Sequence, residues 1–200
     1  MNQNSLQKKR FQILELSKKH IMVEGWSDHI FKEIAEELNS KEYEIKVLFP
    51  EGYIDLLKFY IQESEDLMIK ILKKNENLHK LTTHKKIFEI IRLRLQINSK
   101  DKELVRRTLG VLARPQNFLL GIRTLYATVD NIWYIAGDRS TDFNYYTKRL
   151  ILSKIYSSTI IYWLNDESKS IEKTEKFLLK QIKNTSIFPK IKKTLTAIFR

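Results

Sequence analysis

Apolar residues return at intervals of three and four along nearly the whole chain, with polar residues between them. That spacing predicts one helix after another. A first helix is expected over 6–24, with Phe11, Leu14, Ile21 and Met22 as its apolar side. "EGW" breaks it at Gly25. Ser27 or Asp28 then caps a second helix, which ends near Leu38 and turns Ile30, Phe31, Ile34, Ala35 and Leu38 inward. Ser40 caps a short third helix that stops at "FPEG". Longer helices are expected over about 52–73, 83–98, 100–113, 117–136, 143–164 and 170–185. Pro189 suits the first turn of a last short one. "RLRLQI" alternates as a strand would, but its flanks are helical. The expectation is an all-α bundle of about nine or ten helices, divided into a helix-turn-helix-like subdomain (1–50), a helical body (51–186) and an amphipathic carboxy-terminal helix (187–200).

Composition agrees with that picture: 5 Gly and 3 Pro in 200 residues favour long helices over a turn-rich β fold. Without cysteine there is no disulfide, thiolate metal site or cysteine nucleophile. The start "MNQNSLQKKRFQ" has no hydrophobic leader core. The longest apolar run, "IIYWL", is far short of the ~20 residues of a membrane span. These features lead to the expectation of a bacterial cytoplasmic protein, peripheral to the inner membrane.

The net charge of +12 is unevenly placed, with nine Lys and Arg against two Glu in residues 168–200. Such asymmetry points to an anionic partner, nucleic acid or a membrane surface. In "PKIKKTLTAIFR", helical spacing gathers Ile191, Leu195, Ile198 and Phe199 on one side, with Lys193 away from it. That arrangement suits an anionic membrane surface.

The first 50 residues resemble the amino-terminal domain of TetR-type regulators: a helix, "EGW", a second helix, a short third one and "FP". A DNA-reading third helix would carry Arg, Lys, Asn or Gln to base edges. Here Lys41 and Lys46 are offset by Glu42 and Glu44, which would repel phosphates. A TetR-type regulator is therefore the alternative function, and no nucleic-acid partner is expected. Glu76 and His79 form a lone Glu-x-x-His pair in a polar link, whereas a di-iron bundle needs two such pairs. His20, His29 and His84 have no evident partner at ligand spacing, and Asp130, Asp138 and Asp142 have no neighbour that identifies a base or metal role. No phosphate loop or catalytic triad signature appears. The expectation is a non-enzyme with no metal and no catalytic cofactor. The apolar stripes of the seventh and eighth helices, among them Phe118, Ile122, Leu125, Val129, Ile155 and Thr159, suit either a packed core or the wall of an apolar ligand site.

"WYIAGDRSTDFNYYTKR", 133–149, holds more than a helical break needs. Gly137 stops one helix and Thr141 or Asp142 caps the next. Tyr145, Tyr146, Lys148 and Arg149 remain unexplained, and positive side chains there oppose the helix dipole. With its flanks, "ARPQNFLLGIRTLYATVDNIWYIAGDRSTDFNYYTKRLILSKIYSSTIIYWLND" resembles the Coq-nine family of ubiquinone-biosynthesis accessory proteins: Val129, Asp130 and Trp133, then Ala136 to Asn144, an aromatic pair and a basic pair. Tyr145 stands where that family usually has Trp.

The resemblance implies a non-enzymatic, dimeric TetR-like fold that has lost DNA binding. It implies an isoprenoid quinone lipid as ligand and the di-iron demethoxyubiquinone hydroxylase as partner. By position the partner surface would include Trp133, Asp142, Tyr145, Tyr146 and Arg149.

Overall fold

The computed structural model describes residues 3–141 and 143–184, with side chains from residue 5 onward. Nine α-helices occupy these residues: α1 (Gln3–Glu24), α2 (His29–Glu37), α3 (Glu42–Lys46), α4 (Tyr53–Lys73), α5 (Thr83–Ile97), α6 (Lys102–Leu112), α7 (Phe118–Ile135), α8 (Phe143–Asn165) and α9 (Glu172–Asn184). Short 3-10 turns lie at Leu78–Lys80, Asn98–Asp101 and Pro115–Asn117. No strand occurs among the described residues, so "RLRLQI" is helical. No helix of the described residues is long and apolar enough to cross a membrane.

The chain groups into two compact units. One is built from residues up to 70 together with 98–121, the other from 71–97 together with 122 onward. These borders differ from those expected at residues 50 and 186. Leu56, Leu57, Phe59 and Tyr60 of α4 and Leu104, Val111 and Leu112 of α6 share one apolar core with α1, α2 and α3. A three-helix start alone buries too little surface to stand as a unit. The segment 187–200 lies outside the described residues.

In the first unit α1 buries Ile13, Leu14, Ser17 and Ile21, while Phe11 and Met22 are exposed. The buried face is centred on Ser17, whose hydroxyl donates to the Ile13 carbonyl at 2.6 Å. Once that polar group is satisfied by its own helix, burial costs little. Phe31 stacks on Phe49, Phe49 meets Phe59 edge-on, and the Arg10 guanidinium lies over both Phe49 and Phe59.

The expected caps are corrected. Asp28 precedes α2 but makes no side-chain cap to it. Its Oδ1 instead accepts the Tyr53 N–H at 2.8 Å, capping α4. Gly52 makes this possible: its φ is +66°, and a Cβ there would stand 2.4 Å from Asp28 Oδ1. Ser40 does not cap α3 either; Lys41 occupies that position without a side-chain bond.

In the second unit α5, α8 and α9 pack on one another. They bury Ile87, Ile90, Ile91 and Leu95, then Leu152, Ile155, Ile160 and Trp163, then Leu178 and Ile182. Arg92 Nε donates to Glu175 Oε1 at 2.8 Å and so ties α5 to α9. Tyr162 and Phe177 stack at 4.4 Å where α8 meets α9.

Candidate functional site

The site grows from a helix stop. Gly137 has φ +91° and donates its N–H to the Tyr134 carbonyl, while the Asp138 N–H reaches back to Trp133. This pair of bonds is the Schellman ending, in which glycine takes the left-handed position. It delivers Asp138 beneath the first two turns of α8.

There the basic pair meets its counter-charges. Arg149 Nε donates to Asp130 Oδ1 at 2.6 Å and Nη1 to Asp138 Oδ2 at 3.2 Å. Lys148 Nζ donates to Asp138 Oδ1 and to Ser140 Oγ, both at 2.6 Å. Trp133 Nε1 donates to the Lys148 carbonyl. Tyr126 donates to the Tyr145 hydroxyl at 3.1 Å, which donates to Asp130 Oδ1 at 3.2 Å. The Arg149 guanidinium lies 3.3 Å from the centre of the Tyr145 ring. The excess of charged and hydroxyl groups in this stretch thus forms a closed network joining α7, the link and α8.

Electrostatics follow from that closure. Burial opposes the charge of Asp138, yet bonds from Lys148, Ser140 and Arg149 hold its carboxyl below the ordinary value. Burial likewise opposes the Arg149 charge, and Asp130 and Asp138 outweigh it, raising the guanidinium. The hydrogen bond with Tyr126, then burial and Asp130, pushes the Tyr145 phenol up to about 12.

The expected partner residues divide on this geometry. Arg149 and Trp133 are buried, at 5% and 7% exposure, so neither presents a side chain to a partner. This corrects the expectation that both belong to an exposed surface. Arg149 is drawn inward because two aspartates neutralise it there. Tyr145 is half-buried, Tyr146 is exposed, and Asp142 lies outside the described residues. Tyr146 meets the Tyr145 ring edge-on at 5.1 Å. Around it on α8 stand Phe143 and Leu150, both more than 70% exposed. Residues 143, 146 and 150 share one helix face, so an exposed apolar ridge continues the Tyr126–Tyr145–Tyr146 contact. Phe143 and Leu150 were missed in the sequence because α8 is apolar on two sides, and the buried stripe drew attention first.

The expected lipid-lining residues also separate. Val129, Ile155 and Thr159 are buried, Leu125 is half-buried, and Phe118 and Ile122 are exposed. Thr159 satisfies its hydroxyl on the Ile155 carbonyl at 2.7 Å. A cleft of about 820 Å³ opens elsewhere in this unit, at the end of α8 and the start of α9; Ile161, Tyr162 and Phe177 form its apolar wall, and Asn165, Asp166 and Lys173 are among its polar lining. None of the six expected residues lines it. Glu76 and His79 are both exposed. Ile191, Lys193, Leu195, Ile198 and Phe199, expected at a membrane, lie outside the described residues. On α3, Lys46 pairs with Glu42 at 2.7 Å, which spends its charge within the helix.

The fold is that of the TetR regulators. A TetR transcriptional regulator from Nitrosomonas europaea superposes with a TM-score of 0.74 at 17% identity, covering 90% of this chain and 98% of that one. Residues 119–188, which include the α7–α8 network, match the COQ9 family model. The chain is 30% identical over 177 residues to the ubiquinone biosynthesis protein COQ9-A, mitochondrial, of Xenopus laevis, covering 86% of this chain and 56% of that protein. Human ubiquinone biosynthesis protein COQ9, mitochondrial, is 27% identical, with 83% and 54% covered. The probable ubiquinone biosynthesis protein coq9, mitochondrial, of Dictyostelium discoideum is 28% identical, with 84% and 57% covered. The chain is thus similar to the COQ9 family, by the family model over residues 119–188 and by these relatives over most of its length. It spans about half the length of these curated relatives. Their names overturn the expected bacterial cytoplasmic location, since all three are mitochondrial. That expectation rested on the pattern of the first residues and the lack of cysteine, and neither identifies a compartment.

Proposed function

We propose that this chain is a non-enzymatic accessory protein of ubiquinone biosynthesis, which holds an isoprenoid quinone precursor and docks on a di-iron demethoxyubiquinone hydroxylase. The observation that carries the reading is the exposed ridge of Phe143, Tyr146 and Leu150 beside Tyr126, set on a buried ionic network within the segment that matches the family. Aromatic side chains held rigidly at a surface are what interface hot spots are made of. The network supplies the rigidity: Tyr145 is fixed by Tyr126, Asp130 and Arg149, and Tyr146 packs on Tyr145. Arg149 acts beneath the surface as a positioning residue. The relatives' names supply the pathway.

On this reading the apolar ligand rests against the exposed Ile122 and the half-buried Leu125, while Val129, Ile155 and Thr159 are buried residues of the same unit. The protein acts as a homodimer at an anionic membrane surface. A pull-down with the hydroxylase tests the docking. Tyr146→Ala should weaken capture by more than tenfold, the equivalent of about 2 kcal/mol, with the far-UV spectrum unchanged. Undiminished capture by the variant removes the ridge from the interface. Mass spectrometry of an organic extract tests the lipid, and an extract no richer in isoprenoid quinone than that of a control protein removes that half of the proposal.

A further inference from the structure

Lysines are used differently in different parts of this chain. In the first unit Lys18, Lys19, Lys46 and Lys58 each meet a carboxylate at 2.5–2.8 Å. His20 there lies 2.7 Å from both Glu33 and Glu37, which corrects the expectation that it has no partner. α9 does the opposite. It buries Thr174, Leu178 and Ile182 and packs on α5 and α8. On the side away from those residues Lys173, Lys176, Lys180 and Lys183 are exposed. Their spacing of three, four and three residues sets them within an arc of about 80°, along about 15 Å of helix.

The stripe is unrelieved, fixed in direction and flanked by an apolar side chain. Among the described residues Lys173, Lys176 and Lys180 make no ion pair, although Glu172 stands four residues before Lys176. Glu175 is engaged by Arg92 at 2.8 Å, and Asp166 by Ser168 and Thr174. Like charges three and four residues apart on a helix repel one another, so the stripe costs α9 stability until an anionic surface meets it. The helix cannot roll to hide it. The Arg92–Glu175 bond, the bond from the Thr174 hydroxyl to Asp166 and the stack of Phe177 on Tyr162 all hold its rotation. Leu179, three residues after Lys176 and four before Lys183, is exposed beside the lysines.

We propose that the lysine face of α9 seats on the anionic headgroups of a lipid bilayer, independently of residues 187–200; this rests on the reading above that the chain acts at such a surface, and names the face that meets it. The stripe is straight and of one sign, so it matches a flat anionic surface. All four groups are ammoniums, point charges without the planar fork that reads a fixed carboxylate or a base edge. Mobile headgroups need no such fork. Leu179 gains by entering the headgroup layer while the lysine stems lie along it, whereas a nucleic-acid phosphate backbone offers it nothing apolar. In the sequence the available signal was the excess of Lys and Arg over 168–200. Which of them share one face was decided when Thr174, Leu178 and Ile182 turned inward.

The test is flotation of the full chain with vesicles of phosphatidylcholine alone and of an equal mixture with phosphatidylglycerol. Binding is expected to the mixture only, and weaker in added salt. Lys173→Gln, Lys176→Gln and Lys180→Gln together should lower the bound-to-free ratio at least tenfold, since each lysine at such a surface counts for about fivefold. The far-UV spectrum should be unchanged. Arg at the same three positions should restore binding. A charge-matched control at exposed positions of the first unit, Lys8→Gln, Lys9→Gln and Lys32→Gln, should float as the wild type does. Equal flotation of the α9 variant and the wild type overturns the proposal and leaves the membrane reading in place, with its contact elsewhere. So does a control as weak as the α9 variant, which makes net charge the cause. Capture of a DNA duplex through the same lysines, in place of vesicles, assigns the face to nucleic acid and overturns it too. Failure of the wild-type chain to float removes the membrane reading and this proposal with it.

Discussion

The two compact units are held together by different physics. In the first, the core is apolar and aromatic: Phe31, Phe49, Phe59 and their aliphatic neighbours fill it. In the second, a core of aliphatic residues with Trp133 and Trp163 is joined by ion pairs, with Arg149 buried between Asp130 and Asp138, and Arg92 bonded to Glu175. Apolar burial is non-directional and tolerates small displacements of one helix over another. A hydrogen-bonded charge network does not, because each donor has one direction that satisfies it. The unit with the network is also the one that carries the exposed Phe143 and Tyr146. Directional bonds below fix side chains above, and the comparison teaches that buried charge here serves position more than stability.

The comparison can be broken at four places, from the largest expected effect to the smallest. Phe31→Ala removes a fully buried ring from the first unit and should cost about 3–5 kcal/mol in urea unfolding. A loss under about 1 kcal/mol would mean that this core is not the close-packed one described. Arg149→Ala leaves the buried Asp138 with Lys148 and Ser140 but without the guanidinium, and roughly 3 kcal/mol should be lost. Asp130 is more open to water, which keeps the figure at the low end. Arg149→Met, which keeps the stem, should be equally poor, and recovery of stability by Met would show that the stem rather than the charge matters.

Acid sharpens the contrast. The folded Asp138 carboxyl lies below its ordinary value because Lys148, Ser140 and Arg149 outweigh its burial. Its contribution is therefore fully present above the unfolded value of about 4 and is lost as pH falls through the lower, folded one. Between pH 5 and pH 2 the wild-type chain should lose more stability than Asp138→Asn, and parallel curves for the two would separate Asp138 from acid unfolding. The smallest expected change is that of Tyr146→Ala, within about 0.5 kcal/mol, because Tyr146 is 65% exposed. A marked fall in its melting temperature would mean that the ridge is structural and not free to dock.

Much of this molecule was legible before it folded. The helices, the stop at Gly137 and the family resemblance over 113–166 all follow from residue order, because helical spacing and glycine's left-handed freedom are local properties of the chain. Which side of a helix faces inward was decided elsewhere. Arg149 had the look of a surface cation until Asp130, nineteen residues earlier, and Asp138, eleven earlier, drew it inside. Asp28 had the look of a cap for α2 until Tyr53, twenty-five residues on, offered its N–H instead. Ser17 centres a buried face that polarity alone would have turned to water, and Phe143 and Leu150 stand exposed where apolarity alone would have buried them. Periodicity says that a face exists; only the partner brought up from a distant part of the chain decides whether that face is satisfied by packing, by charge or by solvent.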